Sequence, residues 1–192
     1  MLVKICGITN SADAVAAVDA GAGALGFNFW PKSLRYISPR AAGEIAPSPG
    51  VLRVGVFVNA GEDEIRGAAA EAGLDVVQLH GEFHPPDRLA VWKAISVRQG
   101  FDPSLLDAAA DAFLLDAPSG EEYGGTGRTF DWSLVRGVPR RVVLAGGLDA
   151  SNVGRAIETV RPWAVDACSR LESAPGIKDH RKVAEFLKAA LA

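Results

Sequence analysis

Several residues with reactive or polar side chains stand at the ends of short apolar segments. The first is Cys6 in VKICGIT (residues 3–9), whose thiol is either a small buried hydrophobe or a reactive group at the mouth of a site. Further polar residues of this kind are Lys4, Asn28, Gln78, His80, Asp116 and Asp166. Any one of them could be a structural polar residue. Their recurrence on five segments favours a functional site built from segment ends.

The elements that would position these residues are short β-strands that alternate with helices. Apolar, β-branched runs occur eight times, at 2–6, 24–29, 52–58, 75–80, 91–97, 112–117, 140–146 and 163–168. Segments of helical periodicity lie between them: SADAVAAVDAGA, GEDEIRGAAAEAG, DASNVGRAIETV and DHRKVAEFLKAALA are examples. In the first of these, Ser11 is the expected N-cap and Gly21 the expected end. Eight strands, each followed by a helical segment, predict a single-domain (β/α)8 barrel over residues 1–192.

An open doubly wound sheet is the competing architecture. Such a sheet usually has a G-x-G-x-x-G turn after an early strand, and this sequence has none. In a barrel the chemistry lies at the carboxyl ends of the strands. Because strand side chains alternate, Lys4 and Cys6 share one side and are expected to point into the lumen. The same alternation directs the other strand-end polar residues to that opening.

Glycine-rich turns are the second notable feature of the sequence. LAGGLDASN (144–152), with Gly146 and Gly147, follows the seventh run, and DACSRLES (166–173) follows the eighth, where a short extra helix could begin at Ser169. In barrels these two positions commonly bind phosphate through backbone amides and a helix dipole, although a GG pair alone is more often a tight turn. EEYGGTGRTFDW (121–132) is either a loop that folds over a ligand or an ordinary surface loop.

The composition excludes several classes of partner. The chain has 192 residues, 48% of them hydrophobic, and a net charge of −3, so it can fill one core. Lys and Arg are scattered among acidic residues, which argues against nucleic acid as a partner. Without a charged leader or an apolar run near ~18 residues, we expect a cytoplasmic protein that does not bind membranes. Cys6 and Cys168 lack the spacing of a disulfide framework or a zinc cluster.

The motifs together resemble those of a known enzyme family. They are VKICGIT, GFNFWPKSLRYIS, VGVFVN, VQLHGE, LLDA with GGTGRTFDW, LAGGL, and VDACSRLESAPGIKD. In order and spacing they are similar to the phosphoribosylanthranilate isomerases, (β/α)8 barrels of tryptophan biosynthesis. The likeness runs from residue 3 to about residue 179, and its N-terminal motif is highly specific.

The resemblance implies an Amadori rearrangement of N-(5-phosphoribosyl)anthranilate that needs an acid and a base but no metal or cofactor. It assigns Asp116 as the general acid, which protonates the ring oxygen, and Cys6 as the general base, which removes the proton from C2′. An acid in this role needs a raised pKa, and a thiol base needs a lowered one. Burial could raise the pKa of Asp116, and the cation of Lys4 could lower that of Cys6.

The resemblance also implies how the phosphosugar-anthranilate substrate is bound. Arg35 would hold the anthranilate carboxylate, Asp166 would contact sugar hydroxyls, and Gly146, Gly147 and Ser169 would belong to the phosphate turns. Arg170 stands where the family usually has glycine, so either the amide geometry differs or the guanidinium itself reaches the phosphate. Cys168 replaces a usual serine, and Leu34 replaces a usual proline. His80 is expected to be a hydrogen-bonding residue of the lumen.

Three other functions remain open at this stage. A lumenal Lys4 could form a Schiff base, as in an aldolase. The barrel could be a non-catalytic sugar-phosphate sensor, although the presence of both Cys6 and Asp116 argues against this. The related isomerase of histidine biosynthesis performs the same rearrangement, typically with an Asp in place of Cys6. We expect the protein to be a monomer or a homodimer.

Overall fold

Eight parallel strands form a closed barrel in the computed structural model of the chain, which describes residues 1–82, 86–106, 109–118 and 127–192. The strands pair in sequence order, and β8 pairs back onto β1. They are β1 (Leu2–Cys6), β2 (Ala24–Asn28), β3 (Leu52–Val58), β4 (Val76–His80), β5 (Ala90–Ser96), β6 (Ala112–Asp116), β7 (Val142–Leu144) and β8 (Ala164–Ala167). The predicted barrel is confirmed.

The described residues contain fewer α-helices than the eight helical segments predicted. The α-helices of the described residues are α1 (Ser11–Asp19), α2 (Pro39–Glu44), α3 (Glu62–Ala72), α4 (Val153–Val160) and α5 (His180–Leu191). Elsewhere the connections contain 3₁₀ turns at Pro103–Leu105, Trp132–Val135 and Ser169–Leu171. The described parts of the β4–β5 connection, residues 81–82 and 86–89, hold no helix. In these described residues the predicted helical segment is absent, so this part of the prediction was wrong.

The start of the first helix corrects a second expectation. The N-cap of α1 is Asn10, not Ser11: the backbone of Asn10 is extended, and its side chain accepts a hydrogen bond of 2.9 Å from the amide of Asp13. Ser11 already belongs to the helix. Both are good capping residues, and the helix begins one residue earlier than predicted. The predicted stop at Gly21 agrees with the structure, since α1 ends at Asp19 and Gly21 has a φ of 104°.

Alternation along the strands separates two apolar cores. One lies between the barrel and the helices and includes Ile5, Phe27, Leu115 and Phe186, all buried. The other fills the lumen with the residues Ala24, Val54, Val76, Trp92, Ala112, Leu114, Val143, Ala145 and Ala164. Two positions further along their strands, Ala24, Val76, Leu114 and Ala164 are followed by Gly26, Gln78, Asp116 and Asp166. The lumen is therefore apolar at depth and polar towards the carboxyl ends of the strands.

The chain after β8 forms a small appendage beside the barrel opening. A 3₁₀ turn at Ser169–Leu171 leads into an antiparallel pair, β9 (Glu172–Ala174) and β10 (Ile177–Lys178). The predicted extra helix at Ser169 is thus a single 3₁₀ turn. Across the pair, Lys178 lies opposite Glu172. In the described ranges, no helix is long and apolar enough to cross a bilayer.

Candidate active site

A pocket of about 490 Å³ opens at the carboxyl ends of the barrel strands. Its lining contains every residue that the sequence predicted for the site: Cys6, Arg35, Asp116, Gly146, Gly147, Asp166 and Ser169. Asn28, Gln78 and His80 also line it, whereas Lys4 lies beneath them, fully buried. The predicted loop at 121–132 lies outside the described residues as far as position 126; its described residue Gly127 lines the pocket.

A buried ion pair forms the floor of the pocket. The ammonium of Lys4, in β1, donates a hydrogen bond of 2.8 Å to Oδ1 of Asp166, in β8. The two residues are direct neighbours in the strand register. Burial by itself would lower the pKa of Lys4, but the charge of Asp166 and its hydrogen bond, together with Cys6, outweigh burial and raise it. Lys4 is therefore a permanent cation within the barrel.

Cys6 is placed beside this cation and beside a second thiol. The thiol of Cys168 is its neighbour, and this interaction, followed by the charge of Lys4, outweighs burial and lowers the pKa of the Cys6 thiol. The same interaction, with burial, raises the pKa of Cys168, whose Sγ donates to Oε1 of Glu172 at 3.9 Å. Gly26 makes the arrangement possible, because a Cβ there would lie 2.8 Å from the Cys6 sulfur and 2.9 Å from Cε of Lys4. Of the two thiols, Cys6 is the one set up to lose its proton.

Asp116 has the opposite electrostatic environment. It ends β6 and accepts a hydrogen bond of 2.7 Å from the amide of Ala117. Burial, and then the negative charge of Asp166, raise the pKa of its carboxyl group to about 7. Gly146 packs against it, since a Cβ at that position would lie 3.0 Å from Oδ1 of Asp116. The pocket thus holds a carboxyl group that can carry a proton near neutral pH.

His80 and Gln78 form a polar pair on β4. Nε2 of His80 lies 2.8 Å from Nε2 of Gln78. Burial, and then the charge of Lys4, lower the pKa of His80 to about 4, so its ring is neutral near pH 7. This agrees with the hydrogen-bonding role predicted for His80. Among the described residues, the buried Oε1 of Gln78 has no hydrogen-bond partner, which makes it an acceptor available to a ligand in this pocket.

Arg35 is held at the rim by residues that the sequence analysis did not assign. Its Nη2 donates to Oε2 of Glu172 at 2.8 Å, and its Nε lies 3.1 and 3.3 Å from the two carboxylate oxygens. Lys178 in turn donates to Oε1 of Glu172 at 3.1 Å. Both partners lie in the VDACSRLESAPGIKD motif, but nothing in their spacing relates them to Arg35. The contact depends on a fold that brings together residues 137 positions apart.

The glycine turns also line the pocket. Gly146 and Gly147 have φ values of 89° and 59°, in the region that favours glycine. A Cβ on Gly147 would lie 2.6 Å from the carbonyl oxygen of Gly127, so the loops after β6 and β7 are in close backbone contact. Ser169 lines the same region from the loop after β8. α4 starts only at Val153, after turns at 149–152, so its N-terminus is further along than the sequence suggested.

Arg170 connects these loops instead of disturbing them. Its Nε donates to the carbonyl oxygen of Gly127 at 3.0 Å, and its Nη1 donates to Asp149 at 2.6 Å. Its φ is not positive, so this backbone position does not need glycine. The guanidinium therefore links the loop after β6 to the loop after β7 while lining the pocket. In the described part of the chain, no group of three or more His, Cys, Asp and Glu side chains is arranged to hold a metal.

Comparison with known proteins decides the family. Residues 3–189 match the profile of N-(5′-phosphoribosyl)anthranilate (PRA) isomerase. The chain belongs to this family. The isomerase of Solibacter usitatus is 52% identical over 196 residues, which cover 100% of this chain and 98% of that relative. The resemblance seen in the sequence motifs is thereby confirmed.

Solved structures of the family superpose on the barrel over its full length. A phosphoribosylanthranilate isomerase in complex with reduced 1-(o-carboxyphenylamino)-1-deoxyribulose 5-phosphate has a TM-score of 0.87 and 42% identity, covering 100% of this chain and 98% of that one. Monomers generated from the dimeric isomerase of Thermotoga maritima have a TM-score of 0.87 and 43% identity, with the same coverage. The family and the fold of the chain are thus established without any assumption about the roles of individual residues.

Proposed function

We propose that this chain isomerises N-(5-phosphoribosyl)anthranilate to 1-(2-carboxyphenylamino)-1-deoxyribulose 5-phosphate in tryptophan biosynthesis. The observation that carries the proposal is the pair of opposite pKa shifts in one pocket: the pKa of Cys6 is lowered and that of Asp116 is raised to about 7. An Amadori rearrangement needs a base and an acid at the same time. The family of the chain and its structural relatives support the same reaction.

Asp116 begins the reaction as the acid. It donates its proton to the ring oxygen of the ribose, the C1′–O bond breaks, and the nitrogen lone pair forms the C1′=N bond of a Schiff base. The charge of Asp166 and the buried setting of Asp116 favour the protonated carboxyl that this step requires. Gly146 leaves room for the carboxyl group, because a Cβ at that position would lie 3.0 Å from its Oδ1.

Cys6 completes the reaction as the base. Its thiolate takes the proton from C2′, the C–H electron pair forms a C1′=C2′ bond, and the former C=N pair returns to nitrogen. Cys6 then returns a proton to C1′, and the 2′-hydroxyl loses its proton, which restores through solvent the one that Asp116 gave up. The enol-amine becomes the ketone, substrate and product have the same atoms, and the acid and the base return to their starting states. Lys4 and Cys168 favour the thiolate.

The remaining residues provide the binding contacts. Arg35 pairs with the anthranilate carboxylate, for which a planar guanidinium is well suited. Asp166 uses Oδ1 for Lys4 and offers its other oxygen to a sugar hydroxyl. Gly146, Gly147 and Ser169 surround the phosphate with backbone amides. Inorganic phosphate should then inhibit competitively, and a lack of competition would contradict this assignment.

The test of the proposal is turnover of the aminoribosyl substrate by purified protein. We expect the wild type and the surface variant Glu158→Gln to be active, and Cys6→Ser and Asp116→Asn to lose about 10²- to 10⁴-fold in kcat with intact folding. Complementation of a tryptophan auxotroph that lacks this step tests the substrate in cells. Wild-type turnover in either variant would contradict the role of the residue that was changed.

The alternatives fit the site less well. Lys4 is fully buried, paired with Asp166, and has a raised pKa, so it is a poor amine nucleophile for an aldolase. Borohydride should not trap substrate carbon on Lys4. A non-catalytic sensor would have no use for an acid and a base with opposite pKa shifts. Assay of the histidine-pathway aminoribosyl substrate beside the anthranilate one distinguishes the two isomerases.

We infer that the protein acts in the cytoplasm as a monomer or a homodimer. The biosynthetic role proposed above supports the location. The relative from Thermotoga maritima is described as dimeric, which supports a homodimer as one of the two states. Sedimentation of the purified chain over a range of concentrations would distinguish them.

A further inference from the structure

We propose that Glu172 is a positioning residue, which aligns Arg35 for recognition of the substrate's carboxylate. Glu172 lies on β9, outside the barrel strands, and its side chain is only 5% exposed. The inference rests on the proposed function, because that function supplies the anthranilate carboxylate. It adds a residue that acts through Arg35 without touching the substrate.

The contact between the two side chains fixes the plane of the guanidinium. Glu172 accepts from Nε and Nη2 of Arg35, with the shortest separation at 2.8 Å, and so occupies one edge of the group. The opposite edge, formed by Nη1 and the second hydrogen of Nη2, makes no hydrogen bond within the described residues, and Arg35 lines the pocket. A guanidinium has five N–H donors, so one edge can be held while the other binds a second carboxylate.

Besides Arg35, two further nitrogen donors hold the side chain of Glu172 in place. Lys178, opposite it in the β9–β10 pair, donates to Oε1 at 3.1 Å, and the amide of Gly176 donates to the same oxygen at 3.3 Å. The ammonium of Lys178 also donates to the carbonyl oxygen of Cys168 at 3.2 Å. Its side chain is 0% exposed. The carboxylate thus has little freedom to follow a moving Arg35, and it serves as a fixed point.

The charges of the three residues suit an anionic ligand. A lone Arg35–Glu172 pair would be neutral and would attract a carboxylate only weakly. Lys178 cancels the charge of Glu172, so Arg35, Glu172 and Lys178 together carry +1. Although burial opposes it, the hydrogen bond from Arg35 and the charge of Lys178 lower the pKa of Glu172, which keeps it ionised. The positive charge that remains is presented on the free edge of Arg35.

Alignment before binding should affect KM more than kcat. Arg35 follows β2 on a loop, and an arginine side chain that must be ordered on binding costs affinity. The anthranilate carboxylate of the substrate lies away from C1′ and C2′, where bonds change. Its contact with Arg35 is therefore equal in the ground state and the transition state. Loss of such uniform binding raises KM with kcat unchanged.

The test compares Glu172→Gln, Arg35→Met and the double variant. Glu172→Gln should raise KM by about tenfold with kcat within about twofold of wild type. The double variant should bind no more weakly than Arg35→Met, because Glu172 acts through Arg35. Inhibition by inorganic phosphate, which probes the turns at Gly146 and Gly147 and not Arg35, should be unchanged in Glu172→Gln.

Three results would overturn the proposal: an unchanged KM in Glu172→Gln, a fall in kcat at constant KM, or additive losses in the double variant. If Glu172→Gln does not fold, Glu172→Asp keeps the charge but shortens the side chain, and it should raise KM by a smaller factor. An unchanged KM in a folded Glu172→Asp variant would then contradict the proposal. Absence of turnover in the wild type would instead refute the proposed function.

Discussion

Asp116 and Asp166 line the same pocket, yet the buried ammonium of Lys4 hydrogen-bonds to Asp166 and not to Asp116. The two carboxyl groups are equivalent in covalent chemistry. The two differ in their surroundings: Asp166 pairs with Lys4, whereas burial, and then the negative charge of Asp166, raise the pKa of Asp116. One strand, β1, therefore supplies both the base, Cys6, and the cation that pairs with Asp166.

Asp116→Asn should stabilise the protein at high pH while removing its activity. The pKa of Asp116 is about 7 in the folded chain and ~3.9 in an unfolded one, so only the folded state holds the proton between these values. The stability due to this proton is present below pH ~3.9 and is lost as pH rises through about 7. In urea unfolding the variant should exceed the wild type at pH 8 and match it near pH 4. A pH-independent difference would contradict the raised pKa.

Cys168→Ala should move the titration of Cys6 to higher pH, because it removes the neighbouring thiol whose interaction with Cys6 most lowers the pKa of Cys6. Cys168→Ser retains a donor and should lie closer to the wild type. The sequence has two cysteines, so each variant contains Cys6 alone, and its alkylation by iodoacetamide can be followed against pH. Identical profiles in the two variants would show that Cys168 has no influence.

Lys4→Met should destabilise the fold by about 3–5 kcal/mol, because it leaves the carboxylate of Asp166 buried without its cation. The double variant Lys4→Met/Asp166→Asn should recover part of this loss, since the unpaired charge is gone. Urea unfolding of the three proteins provides the comparison. A double variant less stable than Lys4→Met would mean that the ion pair is not the source of the effect.

Gly147→Ala should weaken the binding of phosphate and lower stability by about 1–3 kcal/mol. The methyl group would approach the carbonyl oxygen of Gly127 to 2.6 Å, at a φ of 59° that alanine disfavours, and would push the two loops apart. Gly154→Ala, on α4 with open space around the new Cβ, is the matched control and should be neutral or slightly stabilising. Competitive inhibition by inorganic phosphate measures the difference. Equal inhibition constants in the two variants would contradict the role of the turn.

The sequence predicted the barrel and its polar opening because both depend on patterns that repeat over a few residues. Side chains alternate along a strand by covalent geometry, so the positions of Cys6, Gln78, Asp116 and Asp166 on the lumenal side follow from counting residues. The same counting does not give ionisation states. The raised pKa of Asp116 depends on its burial and on the nearby charge of Asp166, and these exist only once the barrel has closed with β8 paired to β1.

Other features were beyond the reach of the sequence for physical reasons. Glu172 and Lys178 lie on a hairpin without a repeating pattern, and their relation to Arg35 exists only after the barrel closes. Local composition does not decide whether a connection folds as a helix: where helical segments were expected after β5 and β6, the described residues contain 3₁₀ turns at Pro103–Leu105 and Trp132–Val135. Asn10 and Ser11 are adjacent capping residues, and local geometry alone decides between them.

The Lys4–Asp166 pair has a consequence for synthesis on the ribosome. The two residues are 162 positions apart, so the lysine emerges from the exit tunnel long before its counter-ion is translated. An ammonium group buried without that partner would cost several kcal/mol, and β1 must therefore stay hydrated or bound by a chaperone until β8 is made. The middle strands of the nascent polypeptide can pair early, but the enzyme becomes active only when β8 has paired with β1.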